Sequence, residues 1–429
     1  APDFGRGTRM TAVTEPPPRI ATLDIVRGVA VMGILAMNIV AFAMPFQAYM
    51  NPLAYGAEGP ADLASWMFSF IFVDGKMRGL FSFLFGASML LVIERAEASG
   101  RSPAAIHYSR MAWLLVFGLL HFYFVWHGDI LAGYAQVGMI AFLFRKLSTR
   151  ALIRWGVGLI VVQFLVFGGL AAGSYYLQTQ AALPGAPADV IAEWRGLQAE
   201  LGVPTGQALA DKLALFNGPW LGIVDHQLEG AFEPFVGTLM FGWETLAYFL
   251  LGMAALKSGF LRGEWTDARY RKIALTGFGI GIPVYALLGW LAFRGGFEVP
   301  VMLATVMAAT VPFRPLMVVA TAALVILLTR RGGALTQRIA AAGRAAFTNY
   351  LGTSFLMTGL FYGWGFGLFG DFSRIELWWA VIAMWVLMLL WSKPWLDRFQ
   401  YGPLEWLWRS LSRWQIQPMR RREPAPATA

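Results

Sequence analysis

The chain contains no cysteine. That excludes disulfides, thiol nucleophiles and cysteine-ligated metals. Histidine is almost absent: His107, His121, His127 and His226 are the only four in 429 residues. They form no i, i+4 pair and no HExxH spacing, so no metal is expected. Neither a GxxxxGK[ST] phosphate cradle nor a GxSxG elbow occurs, which leaves P-loop and serine-hydrolase chemistry unsupported. Charge is scarce at 14% of residues, whereas a soluble domain carries about a quarter. Residues 1–18 hold no apolar core segment and do not read as a signal peptide. Residues 1–9, ahead of Met10, read as a leftover of expression, and 1–19 is taken as a flexible N-terminus.

What the chain has in abundance is apolar sequence: 57% of residues are hydrophobic. They fall in repeated blocks of about 18–25 residues, the length that spans a bilayer as a helix. The fold expected is all-α and polytopic, with about ten spans. These are placed near 25–44, 62–94, 111–127, 130–144, 152–176, 235–256, 273–293, 300–329 (broken near Pro312 and Pro315), 345–369 and 376–392. Five-helix halves at 20–177 and 235–393 flank a polar, proline-containing segment, 178–234, expected to form short helices on the outer face. Residues 394–429 form a tail whose YGPLEWLWRSL string suits an amphipathic helix on the inner membrane surface.

The net charge of +9 reads as membrane topology and not as nucleic-acid affinity. With the N-terminus inside, the inner connections hold Arg95, Arg101 and Arg110, then Arg145 to Arg154, Lys257 to Lys272, and Arg330 to Arg344. The outer segment 178–234 has only Arg195 and Lys212 against seven carboxylates. Both termini are therefore expected in the cytoplasm.

Ionisable groups at bilayer depth are expensive, so each is a candidate for function. Asp24 and Arg27 are helical neighbours in LDIVRGVAVMGILAMN. Asn38 lies eleven residues from Arg27, roughly 16 Å along the same face. The alternative for Arg27 is that it snorkels to the head groups. The second span is too long for one helix and is broken at DGKMRG, which places Lys76 and Arg78 away from lipid. Broken helices often line ligand sites. His107 is expected on an inner loop without a chemical role. His121 falls near the midplane, as either a hydrogen-bonding packing residue or a general base. His127 and Asp129 follow at the outer turn, with Asp129 eight residues from His121 and roughly 80° away on a helix. Asn349, Tyr350, Ser354 and Tyr362 are either small-residue packing or the lining of a polar pocket.

Several strings together resemble the YeiB family of bacterial multispanning inner-membrane proteins: LDIVRGVAVMGILAMN (23–38), GKMRGLFSFLFGASM (75–89), GLLHFYFVWHGDILAGYAQVG (118–138), NYLGTSF (349–355), FYGWGFGLFG (361–370) and GPLEWLWR (402–409). The C-terminal half of that family is a domain of unknown function. The resemblance further implies a wider transmembrane acyltransferase superfamily that includes the acyltransferase-three proteins and heparan-alpha-glucosaminide N-acetyltransferase. Such enzymes take an acyl group from cytoplasmic acyl-CoA and pass it to an acceptor on the far side. Acyltransferase-three proteins carry R-x10-H in the first helix; here Arg27 matches and Asn38 stands at the histidine. The lysosomal branch also has asparagine there, but its catalytic histidine has no counterpart between Asn38 and His107.

The function expected is acyl transfer from acetyl-CoA or another acyl-CoA, used as co-substrate, to a sugar, lipid or small metabolite. His121 is the base, oriented by Asp129 or Asp24. Asn38 donates to the oxyanion. Arg27, Lys76 and Arg78 hold the donor. Asp24, His127, Asn349, Tyr350, Ser354 and Tyr362 line the pocket. Partners expected are the bilayer, donor and acceptor, and a second copy in a homodimer. The alternatives are a transporter or lipid flippase without chemistry, and a membrane scaffold.

Overall fold

Residues 20–421 are described by the computed structural model. The flexible segment expected at 1–19, and residues 422–429 of the tail, lie outside them. Among the described residues every regular element is a helix, and the one extended pairing is a bridge between Phe399 and Arg420. In chain order the α-helices are α1 (Ala21–Ala43), α2 (Gln47–Met50), α3 (Pro60–Phe72), α4 (Lys76–Ala98), α5 (Pro103–Phe124) and α6 (Leu131–Ala141). Next come α7 (Thr149–Ala181), α8 (Ala188–Leu201), α9 (Gly206–Phe216), α10 (Trp220–Glu229), α11 (Glu233–Lys257) and α12 (Asp267–Arg294). The last are α13 (Val299–Met302), α14 (Arg314–Thr329), α15 (Ala334–Arg344), α16 (Ala346–Phe361), α17 (Trp378–Arg398) and α18 (Pro403–Ser412).

Among the described residues, six stretches are long and apolar enough to cross a membrane: α1, α3 with α4, α7, α11, α12 and α17. Shorter apolar helices fill in at Leu131–Phe144, Val299–Ala308 and Arg314–Thr329. This is a multi-pass membrane protein whose backbone polar groups are satisfied within helices. Helix α11 is the axis of one side, packed against α4 and α7; α1 is the axis of the other, packed against α15 and α4.

Two apolar segments are interrupted. Between α3 and α4 the chain turns at Asp74 and Gly75, where φ is +68°. A side chain there is excluded twice over: by the left-handed backbone, and by the Arg314 guanidinium 2.5 Å from where a Cβ would sit. Lys76 closes the break by donating its ammonium to the Phe70 carbonyl at the end of α3, an orphan acceptor of that terminus. The second interruption runs from a π-helical stretch, Leu303–Ala308, to the start of α14.

Several elements differ from the sequence expectation. Helix α5 begins at Pro103, with Ser102 capping Ala105 N, so His107 lies on a helix and not on a loop. It is buried, with Nε2 2.9 Å from the Gly138 carbonyl. The segment 334–344 forms α15, because its sparse apolar residues fall on one face and pack along α1. Helix α16 stops at Phe361. The glycine-rich remainder turns back, with positive φ at Gly367 and Gly370, and docks on the 178–234 segment through Asn217 Nδ2 to Phe369 O at 2.9 Å.

Candidate functional site

The last turn of α5 and the connection to α6 carry a buried polar pair. His121 Nδ1 lies 2.7 Å from Asp129 Oδ2, with the two side chains 2% and 1% exposed. The other carboxylate oxygen of Asp129 accepts from Ala132 N at 2.8 Å, which locks its orientation at the start of α6. The imidazole is therefore held in one direction, with Nδ1 toward an acceptor-only group. Nε2 is buried without a hydrogen-bond partner. The Tyr350 ring packs 5.5 Å from the imidazole, and Tyr350 Oη accepts from Ile130 N at 3.2 Å.

Tyr350 also faces a cavity of about 290 Å³ bounded by α1, α4, α5, α15, α16 and α18. Five arginines line it (Arg27, Arg95, Arg110, Arg344 and Arg409), against two carboxylates, Asp24 and Glu405. Arg27 is not spread toward lipid. It pairs with Asp24 at 3.1 Å and donates to Ser88 Oγ at 2.7 Å. Arg110 stacks 4.1 Å from the Trp408 ring, while Trp408 Nε1 donates to the Arg110 carbonyl at 3.0 Å. Helix α18 thus forms a wall of the cavity, where a helix lying only on the membrane surface was expected.

Two contacts fix those walls. Gly28 and Gly343 bring α1 and α15 into backbone contact: a Cβ on Gly343 would sit 1.9 Å from Asp24 O, and one on Gly28 2.0 Å from Ile339 O. Small residues are what allow helices to approach this closely. Glu405 accepts from Phe347 N at 2.7 Å, Thr348 N at 3.1 Å and Thr348 Oγ1 at 2.5 Å. It therefore caps the start of α16. Burial holds its carboxyl above the usual glutamate range, opposed by those hydrogen bonds.

The remaining predicted residues separate into groups. Asn38 is buried on α1, four residues before Phe42, whose ring stacks 3.9 Å from Trp126. It thus lies on the α1 face turned to the His121 turn, although no hydrogen bond among the described residues joins Asn38 to His121. His127 sits in the α5–α6 turn among Phe46, Trp126 and Phe216. Asn349 is engaged on all sides, with Ala342 O, Ser392 Oγ and Trp391 Nε1; it ties α16 to α15 and α17 and is not exposed to the cavity. Ser354 bonds back to Tyr350 O within α16. The Tyr362 hydroxyl is buried without a partner, its ring 5.1 Å from Phe216.

Lys76 and Arg78, expected with Arg27, are brought elsewhere. Lys76 is 1% exposed, its ammonium 3.4 Å from the Tyr285 ring. Arg78 pairs with Glu244 at 2.7 Å, and Arg314 holds both oxygens of the same carboxylate at 2.7 Å. Their charges are spent where the two broken helices meet, so neither lines the arginine cavity. Sequence reasoning passed over Glu244 and Arg314. An acid inside an apolar block and an arginine between Pro312 and Pro315 are intramembrane ionisable groups, the signal that singled out Asp24. Arg110 and Arg344 stood out only as positive inner connections, and Arg409 only as part of the amphipathic tail. Among the described residues, no group of three or more His, Cys, Asp or Glu side chains is placed to hold a metal ion.

Residues 255–415 match the family model described as a protein of unknown function, DUF418. The chain is 33% identical over 411 residues to the uncharacterized protein YeiB of Escherichia coli K12, covering 92% of this chain and 96% of that one. It is 30% identical to the uncharacterized protein YxaH of Bacillus subtilis 168, covering 94% and 96%. An uncharacterized 39.9 kDa protein from the amylase 3' region of Bacillus acidopullulyticus is 25% identical, covering 92% and 94%. No solved structure matches the chain.

Proposed function

The chain belongs to the YeiB family of membrane proteins, and on that premise we propose that it transfers an acyl group from an acyl-CoA to an acceptor at or beyond the membrane. The observation that carries this reading is the arginine-lined cavity whose inner wall, Tyr350, touches the His121 ring. In this reading the protein sits in the bacterial cytoplasmic membrane with about ten crossings and both described ends inside. The cavity then opens toward the cytoplasm, where acyl-CoA is found. Arginines that outnumber carboxylates five to two suit the phosphates of such a donor, which guanidinium groups bind through paired N–H donors.

The chemistry follows from the orientation of His121. Asp129 holds Nδ1, so Nε2 is the free base. It takes the proton of the acceptor as the acceptor attacks the thioester carbonyl. The carbon–sulfur bond breaks and the thiolate leaves with the proton. Asn38, on the facing side of α1, is assigned to the oxyanion. The test is saturable binding of acetyl-CoA to the full-length protein in nanodiscs. Arg110→Gln is expected to weaken binding, and His121→Gln to spare binding while abolishing acetyl transfer. Failure of the folded protein to bind acetyl-CoA and longer acyl-CoAs would overturn the reading.

A second reading is transport. It is favoured by a specific observation: two interrupted segments meet at buried charges, as in carriers with discontinuous helices. Passage of a labelled anionic solute across proteoliposomes, lost in an Arg110→Gln variant, would support it.

A further inference from the structure

Two buried polar atoms lacking partners lie on adjoining rings, one in the last turn of α5 and one just beyond it. One is His121 Nε2, the other Trp126 Nε1. Buried polar atoms nearly always have partners, so each such atom needs an explanation. The rings are 6.3 Å apart and inclined by 68°. The chain itself brings them together: Trp126 N donates to the His121 carbonyl at 2.8 Å, which closes the end of α5 in one extra turn. Phe42 stacks on the outer side of the indole at 3.9 Å. The two atoms are opposite in kind. An indole N–H only donates, while Nε2 of an imidazole whose Nδ1 is turned to a carboxylate accepts.

We propose that Trp126 and His121 form a couple that receives the hydroxyl of the acceptor. The inference rests on the acyl-transfer reading above and gives it a substrate class: an alcohol, so that the product is an oxygen ester. The hydroxyl oxygen accepts from Trp126 Nε1 with one lone pair. Its hydrogen points to His121 Nε2. The second lone pair remains free to attack the thioester carbonyl. The oxygen–hydrogen bond breaks toward Nε2, the carbon–oxygen bond forms, the carbon–sulfur bond breaks, and the thiolate receives the proton. A neutral amine has a single lone pair. Once that pair accepts from Trp126, none is left for attack, and a protonated amine cannot accept at all. The couple therefore favours hydroxyl acceptors over amines of the same shape. Trp126 acts as the residue that places the nucleophile, and Tyr350, which packs on the His121 ring and lines the cavity of the donor, is where the couple and the cavity meet.

The test uses the full-length protein in nanodiscs with ¹⁵N-labelled histidine, and 1-hexanol and hexylamine as shape-matched probes. Hexanol is expected to shift the His121 Nε2 resonance of the unsubstituted protein, and hexylamine not to be acylated in the transfer assay. In transfer from labelled acetyl-CoA, Trp126→Phe is expected to raise KM for hexanol about tenfold, the loss of one buried hydrogen bond, with acetyl-CoA binding unchanged. An Nε2 signal indifferent to hexanol, or hexylamine acylated as readily as hexanol, would overturn the proposal. The resonance measurement needs neither a variant nor a donor. If acetyl-CoA fails to bind while Nε2 still answers to hexanol, the acyl-transfer reading falls and the hydroxyl couple stands.

Discussion

Arginine serves two regions of this protein in opposite ways. At the meeting of the two interrupted helices, Arg78 and Arg314 converge on Glu244, which is fully buried. Tyr248 adds a donor to the same carboxylate at 3.2 Å. In the cavity, five arginines share the wall with two carboxylates, and the walls enclose about 290 Å³. In the first region two guanidinium groups close on one fully buried carboxylate. In the second, the arginines border an open volume. Desolvated charge persists only when paired. Arginine closed on a buried carboxylate inside the bundle is architecture, whereas arginine bordering a cavity is the candidate for ligand contact. Residue type alone does not separate the two.

The sharpest way to break this contrast is Glu244→Gln. It leaves two guanidinium groups buried without their anion, which costs about 3–5 kcal/mol. The expected outcome is loss of monodisperse protein and a large drop in thermal midpoint. A stable, well-folded variant would show that the cluster is not architectural. Next in size is Gly343→Ala. Its Cβ falls on Asp24 O, so α15 must move away from α1. The expected cost is roughly 1–3 kcal/mol, read as a lower melting temperature together with weaker acetyl-CoA binding.

Arg110→Gln tests the other side of the comparison. Acetyl-CoA affinity should fall about tenfold, the range of a charge-assisted contact, with the melting temperature unchanged. A large loss of stability instead would place Arg110 with the architectural set. The smallest effect concerns pH. The Glu405 carboxyl is raised by burial, so the docked form binds its proton more tightly than the undocked form. Docking of α18 should therefore weaken as pH rises from the ordinary glutamate value through the raised one, and then level off. Hydrogen exchange of residues 403–412 across that range measures it. Glu405→Gln should flatten the profile.

The apolar frame was legible in the chain because it depends on runs of similar residues. The break at DGKMRG was legible too, since a glycine-bounded charge inside an apolar run has few other meanings. The pairing of His121 with Asp129 could be anticipated from a separation of eight residues. Helix α15 could not, because its sequence is too polar to stand out and only packing on α1 decides its state. The arginine cavity was hidden for another reason. Arg27, Arg95, Arg110, Arg344 and Arg409 come from distant parts of the chain, and each alone looks like a topological charge. Their convergence belongs to the tertiary structure.

The cavity is closed by the first helix and by α18, almost four hundred residues later in synthesis. Until Gly343 reaches Asp24 and Glu405 reaches the start of α16, Arg27 has only its helical neighbour Asp24 and Ser88 on α4 for company. A nascent chain inserted helix by helix therefore carries an unfinished site through most of its translation. The cavity appears in one late event of assembly, after the earlier apolar helices are in place. On the acyl-CoA reading proposed above, the donor acts on maturation itself, by trapping the moment at which the two ends of the fold meet.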